Sequence, residues 1–238
     1  MMTKISGKSA TGTVAAAGWA AEKAARAADL CILVIALLAV TGCGTSAPAK
    51  FYSLSSTSTS TGQAPANLAV LVGPISIPAG VDRPEFVVQD GANRVDIEEF
   101  NRWSAPLNDS IAKVVAGDLS ALLGTPDVAT APLANFNAAY RVTIDVQRFD
   151  SIRGQGAMLD AVWVVRKANG DTRQGRTVAH ETAQGDSFDA LAAAHSRALA
   201  RMSSDIATVI RAEDSQTAQS GQGSADSADL SKNHHPRI

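Results

Sequence analysis

Six runs along the chain have the pattern of β-strands. They are residues 68–77, 86–89, 94–98, 141–149, 157–166 and 172–182. In some of them, such as 141–149, apolar and polar residues alternate, and in others β-branched residues dominate. Asp90-Gly91 and Asn169-Gly170 favour tight turns, so the runs on either side of each pair are predicted to form hairpins. The predicted sheet is therefore mainly antiparallel.

Two further segments have the period of an α-helix, with apolar residues three or four positions apart. The first carries Ile111, Val114, Val115, Leu119, Leu122 and Leu123, and the second carries Phe188, Leu191, His195, Leu199, Met202, Ile206 and Val209. The order β-β-β-α-β-β-β-α predicts an α+β fold of two layers, with about six strands and both helices on one face of the sheet. Residues 51–54 are either one more edge strand or a loop.

Residues 30–40 form an apolar run of eleven residues that ends just before Cys43. A helix that spans a bilayer needs about 20 apolar residues, so this run is typical of a signal peptide. Val40-Thr41-Gly42-Cys43 resembles the bacterial lipobox, which implies cleavage before Cys43 and lipidation of that cysteine. The alternative is an ordinary secretory signal with a cysteine there by chance. Gly44, in a position where aspartate retains lipoproteins at the inner membrane, implies sorting to the outer membrane.

Composition then divides the chain into four parts. Residues 1–42 are predicted to be the lipoprotein signal peptide, and residues 43–66, rich in Ser, Thr, Ala, Gly and Pro, a flexible tether. Residues 67–211 hold all the periodic elements except residues 51–54 and form one α+β domain. Residues 212–238 are polar and aperiodic, which predicts a disordered tail.

Charge and cysteine content exclude several kinds of function. The formal net charge is −2, and the mature part has no cluster of basic residues, so nucleic-acid binding is not expected. Cys31 lies in the predicted signal peptide and Cys43 is the predicted lipidation site. The mature protein is therefore expected to have no disulfide and no cysteine-based metal site.

The sequence shows no set of residues that is typical of catalysis. It has no Gly-x-Ser-x-Gly, no His-Glu-x-x-His and no Gly-rich phosphate loop. His195 lies on the apolar stripe of the second helix, which favours a buried structural histidine, and His180 in a polar strand is expected to be solvated. We therefore expect no enzyme, no cofactor and no resident metal. A lipid-processing enzyme would require a nucleophile and a base within reach of each other.

Three short segments with conformationally restricted or aromatic residues lie between these elements or at their ends. Tyr52-Ser53-Leu54 follows Cys43, residues 72–78 lead to Asp82-Arg83-Pro84, and residues 102–107 (Arg-Trp-Ser-Ala-Pro-Leu) precede the first helix. Trp103 is predicted either to pack against that helix as a staple or to contact a partner.

In their order and spacing, these segments resemble the ABC-type transport auxiliary lipoproteins, the PqiC-like family associated with MCE proteins. The resemblance runs from about residue 51 to residue 210. It implies an outer-membrane lipoprotein that faces the periplasm and works with an MCE-domain protein and inner-membrane transporter components in lipid transport. It also implies a homo-oligomeric ring. The alternative is a structural or stress-related envelope lipoprotein without a transport partner.

The resemblance also suggests which residues contact a partner or another copy of the chain. These residues are Tyr52, Leu54, Arg83, Pro84 and Trp103. Of these positions, Arg83 stands before a proline, and an arginine with a restricted backbone suits an interface.

Overall fold

The computed structural model describes residues 46–60, 62, 64–132 and 136–232, and in the N-terminal region Lys23, Arg26 and residues 28–32. The chain divides into two compact units, Met1–Ala47 and Pro48–Ile238. In the first unit, residues 28–32 are helical and exposed. The predicted lipidation site, Cys43, lies outside the described residues. Among the helices that are described, none is long and apolar enough to cross a bilayer.

The described residues of the second unit form eight strands and two helices. They are β1 (Lys50–Tyr52), β2 (Val70–Ser76), β3 (Glu85–Gln89), β4 (Val95–Trp103), α1 (Leu107–Leu123), β5 (Val128–Ala129), β6 (Tyr140–Ile152), β7 (Gly156–Lys167), β8 (Thr172–Thr182) and α2 (Phe188–Lys232). The predicted α+β class is confirmed, but the sheet has more strands than the six predicted. The two additional strands, β1 and β5, are only two or three residues long, too short to show a period.

The sheet is built around β6, the longest strand. On one side β6 pairs with β7 and β7 with β8, and these two longest pairings are antiparallel. On the other side the sheet divides. β2 lies parallel to the first part of β6 and continues to β5, whereas β3 lies parallel to the last residues of β6 and continues to β4 and β1. β4 and β8 therefore lie at opposite edges of the sheet.

The core lies between the sheet and the two helices. Alternation along β6 buries Val142, Ile144 and Val146 and leaves Arg141 and Asp145 exposed on the other face. α1 packs against β2 and β5, α2 packs against β6, β7 and β8, and the helices contact each other. Burial contributes about 1.5–3 kcal/mol for each large apolar side chain, so the apolar stripes of the helices stabilise the two-layer arrangement.

The described residues 50–60 and 64–66 lie against the domain, although their composition favoured a flexible tether. Residues 50–52 form β1, and the amide of Ala66 donates to the carbonyl of Leu123 at 2.9 Å. Between them, the Ser56 hydroxyl and the backbone amides of residues 55, 57 and 58 donate to side chains of the helices, which composition alone does not reveal. Contacts with the domain thus begin at Lys50 and not at the predicted boundary of residue 67.

α2 continues beyond residue 211, where composition favoured disorder. Glu213 is buried there and accepts hydrogen bonds from Arg173 Nε at 2.7 Å and Lys167 Nζ at 3.4 Å. Lys167 Nζ also donates to Thr217 Oγ1 at 2.9 Å. These contacts with β7 and β8 stabilise the helical turn that follows the apolar stripe.

Candidate docking surface

The three segments singled out in the sequence meet at the C-terminal end of β4. The amide of Trp103 donates to the carbonyl of Pro84 at 2.7 Å, and the amide of Ser104 donates to the carbonyl of Tyr52 at 2.9 Å. The hydroxyl groups of Ser53 and Ser104 lie 2.7 Å apart. We call residues 52–54, 83–84 and 103–104 the motif junction. Its members are distant in sequence, and backbone hydrogen bonds join them.

An aromatic cluster supports the motif junction from the core side. Trp103 is only 7% exposed and stacks on Phe86, with ring centroids 4.0 Å apart. Tyr52 meets Phe86 edge to face at 5.6 Å, and Phe188 of α2 completes the group. The hydroxyl group of Tyr52 donates to Asn101 Oδ1 at 2.9 Å. Trp103 therefore supports the junction from beneath and is not at the surface; its role as a staple on α1 or as a partner contact stays a prediction.

The other predicted contact residues differ in their exposure. Leu54 is half-buried and packs against the core, and Pro84 is exposed. Arg83 is half-buried, and its Nε is buried without a hydrogen-bond partner in the described part of the chain. Pro84 and the outer part of Arg83 are thus the predicted contact residues that a partner can reach most easily.

Exposed apolar side chains gather beside the junction, on β1 and β4. In the second unit, the described large hydrophobic residues that are exposed are Phe51 (64%), Val95 (55%), Ile97 (49%), Phe100 (44%) and Val178 (51%). The first four lie on β1 and β4, whereas Val178 lies on β8. We call Phe51, Val95, Ile97 and Phe100 the β4 edge. A concentration of exposed apolar residues at one site is typical of an interaction surface.

The β4 edge is also open for backbone pairing. β1 pairs only with Asn101, Arg102 and Trp103. Within the described residues, no strand pairs with residues 95–100 of β4 on the side away from β3. An open strand of this kind can accept an extended segment of a partner, which adds itself to the sheet.

Negative charge accompanies the apolar residues of the β4 edge. Asp96 and Glu99 are exposed, while Glu98 forms an ion pair with Arg153 and Glu85 forms one with Arg102 at 2.9 Å. Charge complementarity favours partners of opposite sign. The β4 edge therefore fits a partner that presents apolar and basic side chains.

A second group of interest is a buried serine–histidine pair. Ser151 Oγ lies 2.8 Å from His195 Nε2, which is the separation of a nucleophile and its base. However, both side chains are buried, the His195 ring stacks on Phe149 at 3.8 Å, and Nδ1 has no hydrogen-bond partner that could orient it. Burial lowers the pKa of His195 to about 3, so the ring is neutral at physiological pH. The pair is closed to substrates, and His195 is a structural residue.

The remaining titratable groups include His180 and Glu181 of β8. His180 is exposed on β8, and the adjacent Glu181 accepts hydrogen bonds from Arg197 and Arg201. Among the described residues, no group of three or more His, Cys, Asp or Glu side chains could hold a metal ion. The β4 edge with the motif junction is thus the best-supported functional surface.

Sequence reasoning found the motif junction but not the β4 edge. Alternation in residues 94–98 shows that Val95 and Ile97 share a face, but it does not show which face the helices cover. Val88, which pairs with Asp96, is fully buried, so Val95 and Ile97 lie on the face away from the helices. Only the pairing of β3 with β4 reveals this.

Comparison with known proteins places the fold and the family. A crystal structure of a protein from Xanthomonas campestris has a TM-score of 0.60 and 19% identity, with 72% of this chain and 99% of that chain covered. The crystal structure of an uncharacterized protein has a TM-score of 0.58 and 19% identity, with 69% of this chain and 99% of that chain covered. At this identity the likeness establishes a shared fold. No curated protein sequence has a detectable match to the chain.

Two further results concern assembly and family. The PelC dodecamer of Paraburkholderia phytofirmans has a TM-score of 0.33 and 17% identity, with 67% of this chain and 93% of that chain covered. This likeness is too low to carry an argument about assembly. Residues 52–207 match the family model described as ABC-type transport auxiliary lipoprotein component, which confirms the resemblance seen in the sequence. The chain belongs to the family of ABC-type transport auxiliary lipoproteins.

Proposed function

We propose that this protein is the non-catalytic docking component, at the outer membrane, of a system that transports lipids between membranes. Its partner in this proposal is an MCE-domain protein. Inner-membrane transporter components pass lipid to the MCE-domain protein or receive lipid from it. Family membership supports a role as an auxiliary component of transport. The closed state of the Ser151–His195 pair supports a role without catalysis.

The observation that carries the docking role is the position of the β4 edge. Exposed apolar residues, unpaired backbone and negative charge coincide there, directly beside the motif junction. Phe51 of β1 pairs with Arg102, next to Trp103, so the junction and the edge form one continuous surface. We propose that an extended segment of the MCE-domain protein adds to this edge and that its basic side chains meet Asp96 and Glu99.

Lipidation of Cys43 is the second part of the proposal. Two or three acyl chains attach a protein to a bilayer almost permanently, since each buried CH₂ contributes about 0.8 kcal/mol. We propose that this anchor holds the domain on the periplasmic face of the outer membrane. Incorporation of labelled palmitate into wild type and its loss in Cys43→Ser would support the anchor, and equal labelling of both chains would contradict it.

Co-purification tests the docking role directly. Intact cells are extracted with a mild detergent and the lipoprotein is captured through a tag, with Cys43→Ser as the matched control. We expect the MCE-domain protein to co-purify with wild type and to be depleted with Cys43→Ser, which cannot be held at the membrane. Recovery of wild type without any MCE-domain protein would contradict the proposal.

We also propose that several identical copies act together as a ring, as the family resemblance implies. The mass of the complex in mild detergent tests this part separately. A mass of several copies would support the ring. The mass of one chain would contradict the ring but would leave the proposed docking surface untouched.

A further inference from the structure

A buried carboxylate of α1 holds the segment that follows β1. Asp118 is fully buried. Its Oδ1 accepts hydrogen bonds from Ser56 Oγ at 2.7 Å, from the amide of Thr57 at 3.1 Å and from the amide of Ser58 at 2.9 Å. On the other side, Ser203 Oγ of α2 donates to Oδ2 at 3.2 Å. One carboxylate thus joins residues 56–58 to both helices.

The residues around Asp118 also lie close to the segment that follows β1. The amide of Ser55 donates to Ser196 Oγ of α2 at 3.1 Å. A Cβ atom placed on Gly117 would lie only 3.1 Å from Ser56 Cβ, so a glycine stands where the segment lies closest to α1. We call residues 50–58 the strap.

Asp118 depends on the strap for its hydrogen bonds. A buried carboxylate without donors is strongly disfavoured. Three of its four donors come from residues 56–58, and only Ser203 belongs to the helix layer. The strap is therefore part of the folded domain, and the Ser and Thr residues that suggested a flexible tether satisfy a buried charge.

We propose that the strap limits how far the domain can move from the bilayer, an inference that rests on the proposed lipidation of Cys43. Cys43 and Lys50 are seven residues apart, so the free chain spans at most about 25 Å. If the strap were released, the next described contact with the domain would be at Ala64, whose carbonyl accepts a hydrogen bond from Arg211 at 3.1 Å, and the chain would span up to about 70 Å. With β1 paired to β4 and residues 56–58 bound to Asp118, the strap as a whole thus shortens the maximum reach about threefold, and Asp118 is a positioning residue within it.

The strap also fixes the side of the domain at which the anchor chain arrives. β1 is parallel to β4, and Lys50 lies opposite Asn101. The anchor chain therefore joins the domain at the outer side of β4, close to Phe100. With the strap closed, the β4 edge stays near the membrane surface that carries the lipid anchor.

Energy transfer to the bilayer tests the limit on reach. The lipidated full-length chain is reconstituted in vesicles of phosphatidylethanolamine and phosphatidylglycerol, with a donor dye on an azide-bearing amino acid at Val178 and an acceptor dye on the lipid. We expect high transfer for wild type, a clear decrease for Asp118→Ala and an intermediate value for Asp118→Asn, which keeps an oxygen acceptor. Equal transfer in all three chains would overturn the proposal.

A covalent lock separates release of the strap from general damage to the domain. Ser56→Cys with Gly117→Cys places two thiols where the Cβ atoms are within a few tenths of an ångström of disulfide geometry. In the Asp118→Ala chain, oxidation of this pair should restore the transfer of wild type, and reduction should abolish it again. If the oxidised chain keeps the low transfer, the strap does not control the reach.

Amide hydrogen exchange provides a readout at the strap itself. In wild type the amides of Thr57 and Ser58 should be protected, and in Asp118→Ala they should exchange at least about tenfold faster, while β6 and β7 keep their protection. Equal exchange rates in both chains would contradict the proposal that Asp118 holds the strap. Absence of palmitate on wild type would instead contradict the proposed lipid anchor on which the inference rests. Failure of the strap and failure of the anchor are therefore distinguishable.

Discussion

Two strands with an open side, β4 along residues 95–100 and β8, are protected very differently. On β8, Arg173 pairs with Glu213 and Arg176 pairs with Asp160, and Val178 is its exposed large apolar residue. Arg176 also holds the pKa of Asp160 below its usual range through a hydrogen bond. On β4, four large apolar residues are exposed on and beside the strand. Charged groups are a common way to protect a sheet edge from association.

Both strands leave backbone groups unpaired on one side within the described residues, so this difference indicates that the side chains discourage association more at β8 than at β4. Natural sheet proteins rarely leave an apolar edge exposed, because such an edge promotes aggregation. Among the described residues of the second unit, four of the five exposed large apolar side chains lie on β1 and β4. The difference between the edges therefore supports the assignment of β4 as the docking strand.

The largest expected effect concerns the core beneath the β4 edge. His195 lies 6.1 Å from Trp103, ring centroid to centroid, and has a pKa of about 3 in the folded protein against about 6.5 when unfolded. Between these values the unfolded chain binds more protons, so acidification destabilises the fold. We expect a loss of about 4 kcal/mol in the free energy of unfolding from pH 7 to pH 3.

Urea unfolding at several pH values measures this slope. In His195→Leu the part of the slope between pH 6.5 and pH 3 should disappear. His180→Leu is the matched control, because the exposed His180 side chain lies on β8 and has no such environment. An unchanged slope in His195→Leu would contradict the neutral buried histidine.

The next effect concerns the core beneath β8. A Cβ atom on Gly175 would lie 2.3 Å from the Trp163 ring, whose Nε1 donates to Thr177 Oγ1 at 3.1 Å. Gly175→Ala should therefore destabilise the domain by about 3 kcal/mol. Gly80→Ala, at a glycine with open space around it, should have little effect. Thermal unfolding of the two variants checks the difference, and equal stability would show that Trp163 can move aside.

A smaller effect is expected for docking, and it tests the two edges against each other. Ile97→Asp places a charge in the apolar β4 edge and should weaken binding of the MCE-domain protein by about 2 kcal/mol, or about 30-fold. Val178→Asp introduces the same charge at a residue of nearly equal exposure on β8 and should leave the affinity unchanged. Titration of each purified variant with the partner measures both. Equal losses would remove the distinction between the edges.

The smallest effect concerns an ion pair that protects β8. Glu213 is buried, whereas its partner Arg173 is half exposed, so solvent weakens the attraction. Glu213→Gln should reduce the free energy of unfolding by about 1 kcal/mol and leave docking unchanged. Loss of docking in this variant would show that the β8 edge takes part in binding.

The sequence was sufficient for the elements whose side chains follow a regular period. The stripe of α1 and the alternation of β6 predicted their buried faces, and Gly124, with φ of 69°, ends α1. β1 and β5 could not be predicted because strands of two or three residues have no measurable period. Their pairing depends on contacts with β4 and β2.

The strap and the β4 edge depend on residues that are far apart in sequence. Asp118 and residues 56–58 are about sixty positions apart, and polar composition looks the same in a free linker and in a segment bound to a carboxylate. Val95 and Ile97 alternate with polar residues as core residues do. Their exposure follows from the register of β4 with β3, which no local pattern specifies.

Site-specific photo-cross-linking in intact cells tests docking at the β4 edge most directly. A photoreactive amino acid is placed at Ile97 in one chain and at Val178 in another, so that the two probes differ in edge but hardly in exposure. The account predicts a covalent adduct with the MCE-domain protein from Ile97 and none from Val178. An adduct from Val178 alone, or from neither position, would contradict it.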